Sequence, residues 1–138
     1  MTSHQILQPE GWPRPKGYAN GVAAEGRIVF TAGVIGWNEE EVFEHRDFAG
    51  QFEQVLKNTI AILAEAGAEP RHIVRMTCYV TSKQAYLDAL PQIGAAWKMH
   101  FGRVFPCMAV IGVSELVEDA ALLEIETTAV IPAAKDEL

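Results

Sequence analysis

Two glutamates near the end of the chain, Glu124 and Glu126, have the spacing that acid–base chemistry requires. Side chains two residues apart in a β-strand point to the same face of a sheet. Two carboxyl groups held on one face can raise the pKa of one of them and so produce a general acid or base. Either carboxylate could instead bind a lysine or arginine of a neighbouring subunit. The spacing makes both residues candidates and leaves both roles open.

The cysteines and histidines are weaker candidates for chemistry. Cys78 and Cys107 form no CxxC pair and have no histidine at metal-ligand spacing, so the sequence predicts neither a disulfide framework nor a metal site. A nucleophilic cysteine needs a base or a cationic field beside it. Strand alternation places Cys107 on the face opposite Met108, where we expect a small buried hydrophobic residue. The four histidines are dispersed and indicate no site.

The chain is acidic, with 11 basic and 18 acidic residues and a formal net charge of -7. Its basic residues are scattered along the sequence, whereas binding to a phosphate backbone normally needs a basic stripe that releases counterions. We therefore expect no nucleic-acid partner. The length of 138 residues and the ordinary hydrophobic content of 49% predict one globular domain spanning residues 1–138.

The two ends of the chain carry no convincing targeting signal. Residues 1–16 contain Pro9, Pro13 and Pro15 and lack the apolar core of a signal peptide, so they predict an extended arm. No run approaches the roughly 18 apolar residues of a membrane span. These features favour a cytoplasmic protein without membrane contact. The KDEL sequence at residues 135–138 acts only in the secretory pathway, so we interpret it as a coincidence.

Apolar residues at spacings of three and four predict two helical regions. The first lies between Asp47, its expected N-cap, and Gly67, its expected stop. The second begins at Ser82 or the next residue, is interrupted at Pro91 and runs to Phe101. The predicted strands are 18–24 and 27–32, joined by a hairpin turn at Glu25-Gly26, and 72–80, 106–116 and 121–131.

The resulting order, β-β-α-β-α-β-β, predicts an α+β fold with one mixed sheet and both helices on one face. Two helices leave the second face of the sheet uncovered. We expect that face to carry Tyr79, Met108, Val110 and Leu122 or their neighbours, with few charges. An apolar face left bare is an aggregation hazard or an interface, so the pattern predicts oligomerisation through the sheet.

Four segments in this order resemble the RidA/YjgF family of reactive-intermediate deaminases, over about residues 17–132. One is the strand of residues 27–33, which ends in an Ala-Gly pair, and the next is the helix of residues 51–67. The others are the strand of residues 72–80 and the sequence Leu-Glu-Ile-Glu at residues 123–126, followed by Thr-Ala-Val. The resemblance implies a chorismate-mutase-like fold and a homotrimer with a small-molecule cleft between neighbouring subunits.

The resemblance also implies hydrolysis of small imines or enamines, such as 2-aminoacrylate, to ketoacids and ammonia, without metal or organic cofactor. Family clefts contain a tyrosine near the first strand, the backbone of a glycine that ends the second strand, an arginine on the penultimate strand and a glutamate on the last. Tyr18, Gly33 and Glu124 match three of these. Glu124 is therefore the candidate catalytic residue, and Tyr18 and Gly33 are candidate ligand-binding residues. Structural roles stay open for both, since Tyr18 could cap the core and Gly33 could only end its strand.

The arginine of the family clefts has no counterpart in this sequence, because Met108 stands in its place two residues after Pro106. A methionine offers apolar contact without charge, so a carboxylate ligand should bind more weakly by roughly 2–5 kcal/mol. We expect a cleft that disfavours anions and suits a neutral or cationic ligand with an apolar part. Met108, Val110 and Ala32 complete the candidate ligand-binding set. Arg103 is a conceivable replacement, but the turn before Pro106 is expected to direct it to the surface.

Two function classes remain. The first is an enzyme that hydrolyses a small imine or enamine, with water oriented by Glu124 and the Gly33 backbone. The second is a non-catalytic metabolite-binding or regulatory trimer that keeps the cleft. Met108, which stands in place of the family's arginine, favours this second class or an enzyme with an unusual substrate. Typical members of the family also carry an asparagine on the second helix, and Gly94 stands at that position. The acidic charge argues against a third reading, ribonuclease.

Overall fold

The computed structural model describes residues 3–133 and contains, within them, seven strands and three α-helices. The strands are β1 (Gln5–Leu7), β2 (Gly21–Ala23), β3 (Arg27–Phe30), β4 (Val34–Ile35), β5 (Ile73–Val80), β6 (Cys107–Gly112) and β7 (Leu123–Ile131). The helices are α1 (Phe48–Ala64), α2 (Lys83–Asp88) and α3 (Leu90–His100), and a short 3₁₀ turn spans Pro70–His72. The KDEL sequence lies outside the described residues.

Strand β7 organises the main sheet because it pairs along both of its edges. Strands β3 and β4 lie antiparallel to it on one edge, and β5 lies antiparallel to it on the other. Strand β6 joins β5 in parallel, which the crossover through α2 and α3 allows. The helices pack on one face of this mixed sheet around a shared core, which confirms the predicted α+β fold class.

The predicted hairpin between residues 18–24 and 27–32 is wrong. Strand β2 pairs with β1 from the N-terminal arm, whereas β3 pairs with β7. Gly26 has a φ of 146°, and a Cβ atom there would overlap the backbone of Ile131. This glycine therefore serves the close approach of the chain to β7. The Glu25-Gly26 turn was correctly predicted to separate two strands. The partner with which each strand pairs depends on long-range contacts.

Helix α1 ties two loops to the core. Asp47 caps its first turn, as predicted, by accepting a hydrogen bond from a backbone N–H at 3.0 Å. Gln51, fully buried one turn later, donates to the carbonyl oxygens of His45 at 3.1 Å and Ala120 at 2.9 Å. Its side-chain oxygen accepts from the N–H of Leu122 at 2.8 Å. One amide group thus holds both the loop before α1 and the loop before β7.

Met108 and Val110 lie on the helix-covered face of the sheet, contrary to the prediction. They pair in register with Met76 and Cys78, which are buried in the core. Paired residues of neighbouring strands share a face, so the register with β5 decides the orientation of β6. Leu122 also packs against this core rather than on the open face.

The uncovered face carries Tyr79, as predicted, and also Arg75, Glu124 and Glu126, so it holds three charges where few were expected. Its exposed apolar side chains are Ile28 (58% exposed), Phe30 (70%) and Ile111 (44%). Apolar side chains gathered on a bare sheet face are typical of an interface.

Replacing Gln51 by methionine would keep the length of the side chain but leave two carbonyls and one N–H without partners. We expect the free energy of unfolding to fall by about 2–4 kcal/mol, measured by chemical denaturation. Gln54→Met is the matched control, since among residues 3–133 the Gln54 amide donates to Asn58 alone, on the same helix. That variant should lose less than about 1 kcal/mol. Equal losses for the two variants would show that Gln51 does not hold the loops.

Candidate functional site

The carboxyl group of Glu124 lies directly against the backbone of Gly33. A Cβ atom on residue 33 would overlap the carboxyl group and lie 2.6 Å from its Cδ atom. Any larger residue would therefore displace the Glu124 side chain. Glu124 is half-buried, and among residues 3–133 its carboxyl has no hydrogen-bond or ion-pair partner. A carboxylate placed in this way can accept a hydrogen bond from a ligand or a water molecule.

Strand β4 and helix α1 fix the position of Gly33. Ile35 of β4 pairs with Glu124 of β7, which brings the preceding glycine beside the carboxylate. Asn58 of α1 donates to the carbonyl oxygens of Ile35 at 3.2 Å and Trp37 at 2.7 Å. Ala32, the other candidate in this segment, is exposed beside Gly33. The carboxylate side of the site, defined as Glu124, Gly33 and Ala32, is therefore held by the sheet and by α1.

Glu126 has a different environment from Glu124. The Tyr79 hydroxyl donates to Glu126 Oε1 at 2.8 Å. This hydrogen bond to a carboxylate is the main cause that raises the pKa of Tyr79 above its ordinary value. The carboxylate of Glu126 is thus already engaged within the chain, which supports the structural reading of that residue and leaves Glu124 as the available acid or base.

The other candidate residues line a cavity of about 660 Å³ on the helix-covered side. Tyr18, Met108 and Val110 all contribute to its wall. Apolar side chains from α1 and α3, including Phe52 and Trp97, form much of the rest. The volume and the apolar wall are those of a small-molecule site.

Three cationic side chains, Lys16, Lys98 and Arg103, line this cavity, and among its described lining residues there is no aspartate or glutamate. Arg103 is exposed and also lines this cavity, so its expected orientation toward the surface stays a prediction. Lys16 and Lys98 were not among the site residues predicted from the sequence. A usable signal was the helical spacing of Gly94 and Lys98, four residues apart and hence on one face of α3.

The two parts of the candidate site lie on opposite faces of the sheet. Glu124 alternates with the fully buried Leu123 and Ile125, so its side chain points away from the helices. Met108 pairs with Met76 and faces the helices. Within one chain, the carboxylate side and the cavity are therefore separated by the sheet itself.

The two cysteines lie on opposite faces of the sheet. Cys78 lines the cavity, but burial raises its pKa to about 12, so the thiol stays protonated near neutral pH. Cys107 pairs with Arg75 on the uncovered face, opposite Met108 as predicted, and is partly exposed rather than buried.

Residues 3–133 contain neither a metal-binding cluster nor a helix able to span a membrane. No group of three or more His, Cys, Asp or Glu side chains is placed to hold a metal ion. No helix in this part of the chain has both the length and the apolar composition needed to cross a membrane.

A model of the family described as Endoribonuclease L-PSP matches residues 13–131. This chain belongs to that family, which is the RidA/YjgF family of the resemblance. A RutC family protein of Aquifex aeolicus is 34% identical over 129 residues, which cover 91% of this chain and 98% of the relative. A RutC family protein of Pyrococcus abyssi is 29% identical over 127 residues, covering 91% and 95%.

Solved structures with the same fold include a Rid family protein. The Rid family protein YyfB of Yersinia pestis superposes with a TM-score of 0.80 at 29% identity, covering 93% of this chain and 98% of its own. TdcF of E. coli, solved with bound serine, has a TM-score of 0.66 at 28% identity, covering 93% and 99%.

The contact between Gly33 and Glu124 predicts a coupling between the two positions. Gly33→Ala should lower the free energy of unfolding by about 1–2 kcal/mol, and most of that loss should vanish in a Glu124→Ala background. Gly112→Ala is the control, because a Cβ atom there would meet no other group within 4 Å. Denaturation of the single and double variants measures the coupling, and strictly additive losses would contradict the contact.

Proposed function

We propose that this Rid family chain hydrolyses small reactive imines or enamines, releasing a carbonyl compound and ammonia. The observation that carries the proposal is the Glu124 carboxylate, which lies over Gly33 and has no partner among residues 3–133. The crystal structure of TdcF with bound serine, a small molecule that carries an amino group, is consistent with a ligand of this kind.

We further propose a homotrimer in which the cleft lies between subunits. The carboxylate side and the cavity occupy opposite faces of one sheet, so a single ligand can contact both only where two copies meet. Exposed Phe30 and Ile28 on the uncovered face supply apolar area for such an assembly. The cytoplasmic location stays a prediction.

In the proposed reaction, Glu124 accepts a proton from a water molecule as the oxygen attacks the carbon of the C=N bond. Glu124 passes this proton to the nitrogen, which gives a carbinolamine. The hydroxyl proton then follows to the same nitrogen as the C–N bond breaks and the C=O bond forms, so that ammonia leaves. Gly33 contributes by leaving room for the carboxylate beside the backbone. The sequence of steps consumes only water and needs no change of oxidation state.

A non-catalytic metabolite-binding trimer is the second candidate. Met108, at the position where the resemblance expects an arginine, is the observation that favours it. Ribonuclease activity, which the family description names, fits less well. The net charge is -7, and the cations of the cavity surround a small-molecule volume rather than forming an extended stripe.

Glu124→Gln should reduce the turnover of a freshly generated imine by about a hundredfold or more, because the amide cannot accept the proton from water. Ketoacid formation above the spontaneous rate is the measurement. Glu126→Gln is the matched control and should keep the rate within about threefold, since Tyr79 already engages that carboxylate. An acceleration that survives in Glu124→Gln would contradict the catalytic role, and no acceleration by the wild type would favour the binding protein.

A further inference from the structure

We propose that the cavity contains a distal subsite, at the end bounded by Tyr86, which binds the hydroxylated tip of an uncharged aromatic ligand. The ligand is a small carbonyl compound, or the imine derived from it, whose ring carries a hydroxyl group on the side remote from the reacting carbon. The inference rests on the proposed function only for the reaction at the other end of this ligand. The hydroxyl group of Tyr86 and the space beside Gly94 carry it.

The Tyr86 hydroxyl is the first argument, because it lacks a partner within the chain. Tyr86 lines the cavity and is partly buried, and its hydroxyl has no hydrogen-bond partner among residues 3–133. Burial raises the pKa of Tyr86, and the neighbouring Cys78 raises it further, so the hydroxyl stays protonated near neutral pH. Polar groups that are removed from water without a hydrogen bond are unfavourable, and a ligand that supplies the partner removes this cost.

Two contacts fix the direction of the Tyr86 side chain. Its ring packs edge-on against Phe48 of α1, with ring centroids 6.0 Å apart and an angle of 78° between the ring planes. Its hydroxyl is close enough to Cys78 of β5 for the thiol to affect the pKa of Tyr86. Cys78 is almost fully buried and lines the same cavity. The side chain therefore extends from α2 toward the sheet, with its hydroxyl at the inner end of the cavity wall.

One face of α3 forms the long wall of the cavity. Four of its residues line the cavity at helical spacings of three and four: Leu90, Ile93, Gly94 and Trp97. Lys98 continues this wall, and a rise of 1.5 Å per residue makes it about 12 Å long from Leu90 to Lys98. Met108 and Val110 of β6 line the opposite side. This length accommodates one aromatic ring with a short carbonyl chain.

Gly94 provides the space for the ring. It lies in the interior of α3, where glycine is a poor helix former. A Cβ atom at this position would meet no other group within 4 Å, so close packing does not require a glycine there. The missing side chain instead leaves open space in the middle of the cavity wall. Phe52 and Trp97, which also line the cavity, can pack against an aromatic ring in that space.

The distribution of charge indicates that the ligand is uncharged at the Tyr86 end. The side chains of Lys98 and Arg103 line the cavity from the end of α3 and the turn that follows it, remote in sequence from Tyr86 and Leu90. The described lining contains no aspartate or glutamate that could bind a cationic ligand. A hydroxyl group is a polar tip without charge, and it can both donate to and accept from the Tyr86 hydroxyl.

Binding of two stable ketones to the assembled protein tests the inference. Benzylacetone and its para-hydroxy derivative differ only in the hydroxyl group at the tip of the ring. The wild type should bind the hydroxylated ketone about fivefold to tenfold more tightly, measured by isothermal titration calorimetry, because one hydrogen bond is gained. Tyr86→Phe keeps the ring and should abolish this preference. Tyr79→Phe is the matched control and should retain it, since the Tyr79 hydroxyl donates to Glu126 on the other face of the sheet.

The space beside Gly94 has its own variant. Gly94→Leu should weaken the binding of both ketones by about tenfold or more, because the leucine side chain occupies the space for the ring. Its Tm should equal or exceed that of the wild type, since leucine is a better helix former than glycine. That combination separates a filled cavity from a misfolded protein, and light scattering checks that the assembly of each variant is unaltered.

Three results would overturn the inference: equal affinity of the wild type for the two ketones, a preference that survives in Tyr86→Phe, or binding of neither ketone because a second copy of the chain covers the cavity. Hydrolysis of the corresponding imines is a separate readout. Binding through Tyr86 without turnover refutes only the catalytic proposal, whereas turnover that does not depend on Tyr86 refutes only the subsite.

Discussion

The alternation of side chains along β7 is the constraint on which the rest of the structure depends. Leu123 and Ile125 are fully buried, so Glu124 between them must point to the opposite face. The strand pairs along both edges, and a slip of one residue would exchange its buried and exposed sides. Core packing therefore fixes the orientation of the candidate catalytic carboxylate before any ligand binds.

The same sheet places the cavity on its other side. Met108 is held there by its register with Met76, and Arg103 reaches the cavity wall from the turn before β6. One chain thus offers a carboxylate on one face and a cationic, apolar recess on the other. In our account, assembly brings these two parts together, so that the fold supplies the parts and the contact between subunits completes the site.

The sequence predicted those features that local patterns determine. The period of three and four residues located α1, and Asp47 was correctly assigned as its cap. Features that depend on long-range pairing were not accessible. The turn at Gly26 suggested a hairpin, yet β3 pairs with residues about a hundred positions later. Alternation within β6 separated Met108 from Cys107 but could not say which of them faces the helices, because the parallel register with β5 decides that.

The central claim is that Glu124 of one subunit acts with the cavity of another. Subunit mixing tests it most directly, with Glu124→Gln in one preparation and Met108→Asp, which puts a carboxylate in the cavity, in the other. Each variant alone should be inactive toward the imine, and trimers mixed at random should regain roughly a quarter of the wild-type rate, because that share of clefts is intact. Mixed trimers that stay as inactive as the separate variants would contradict the claim.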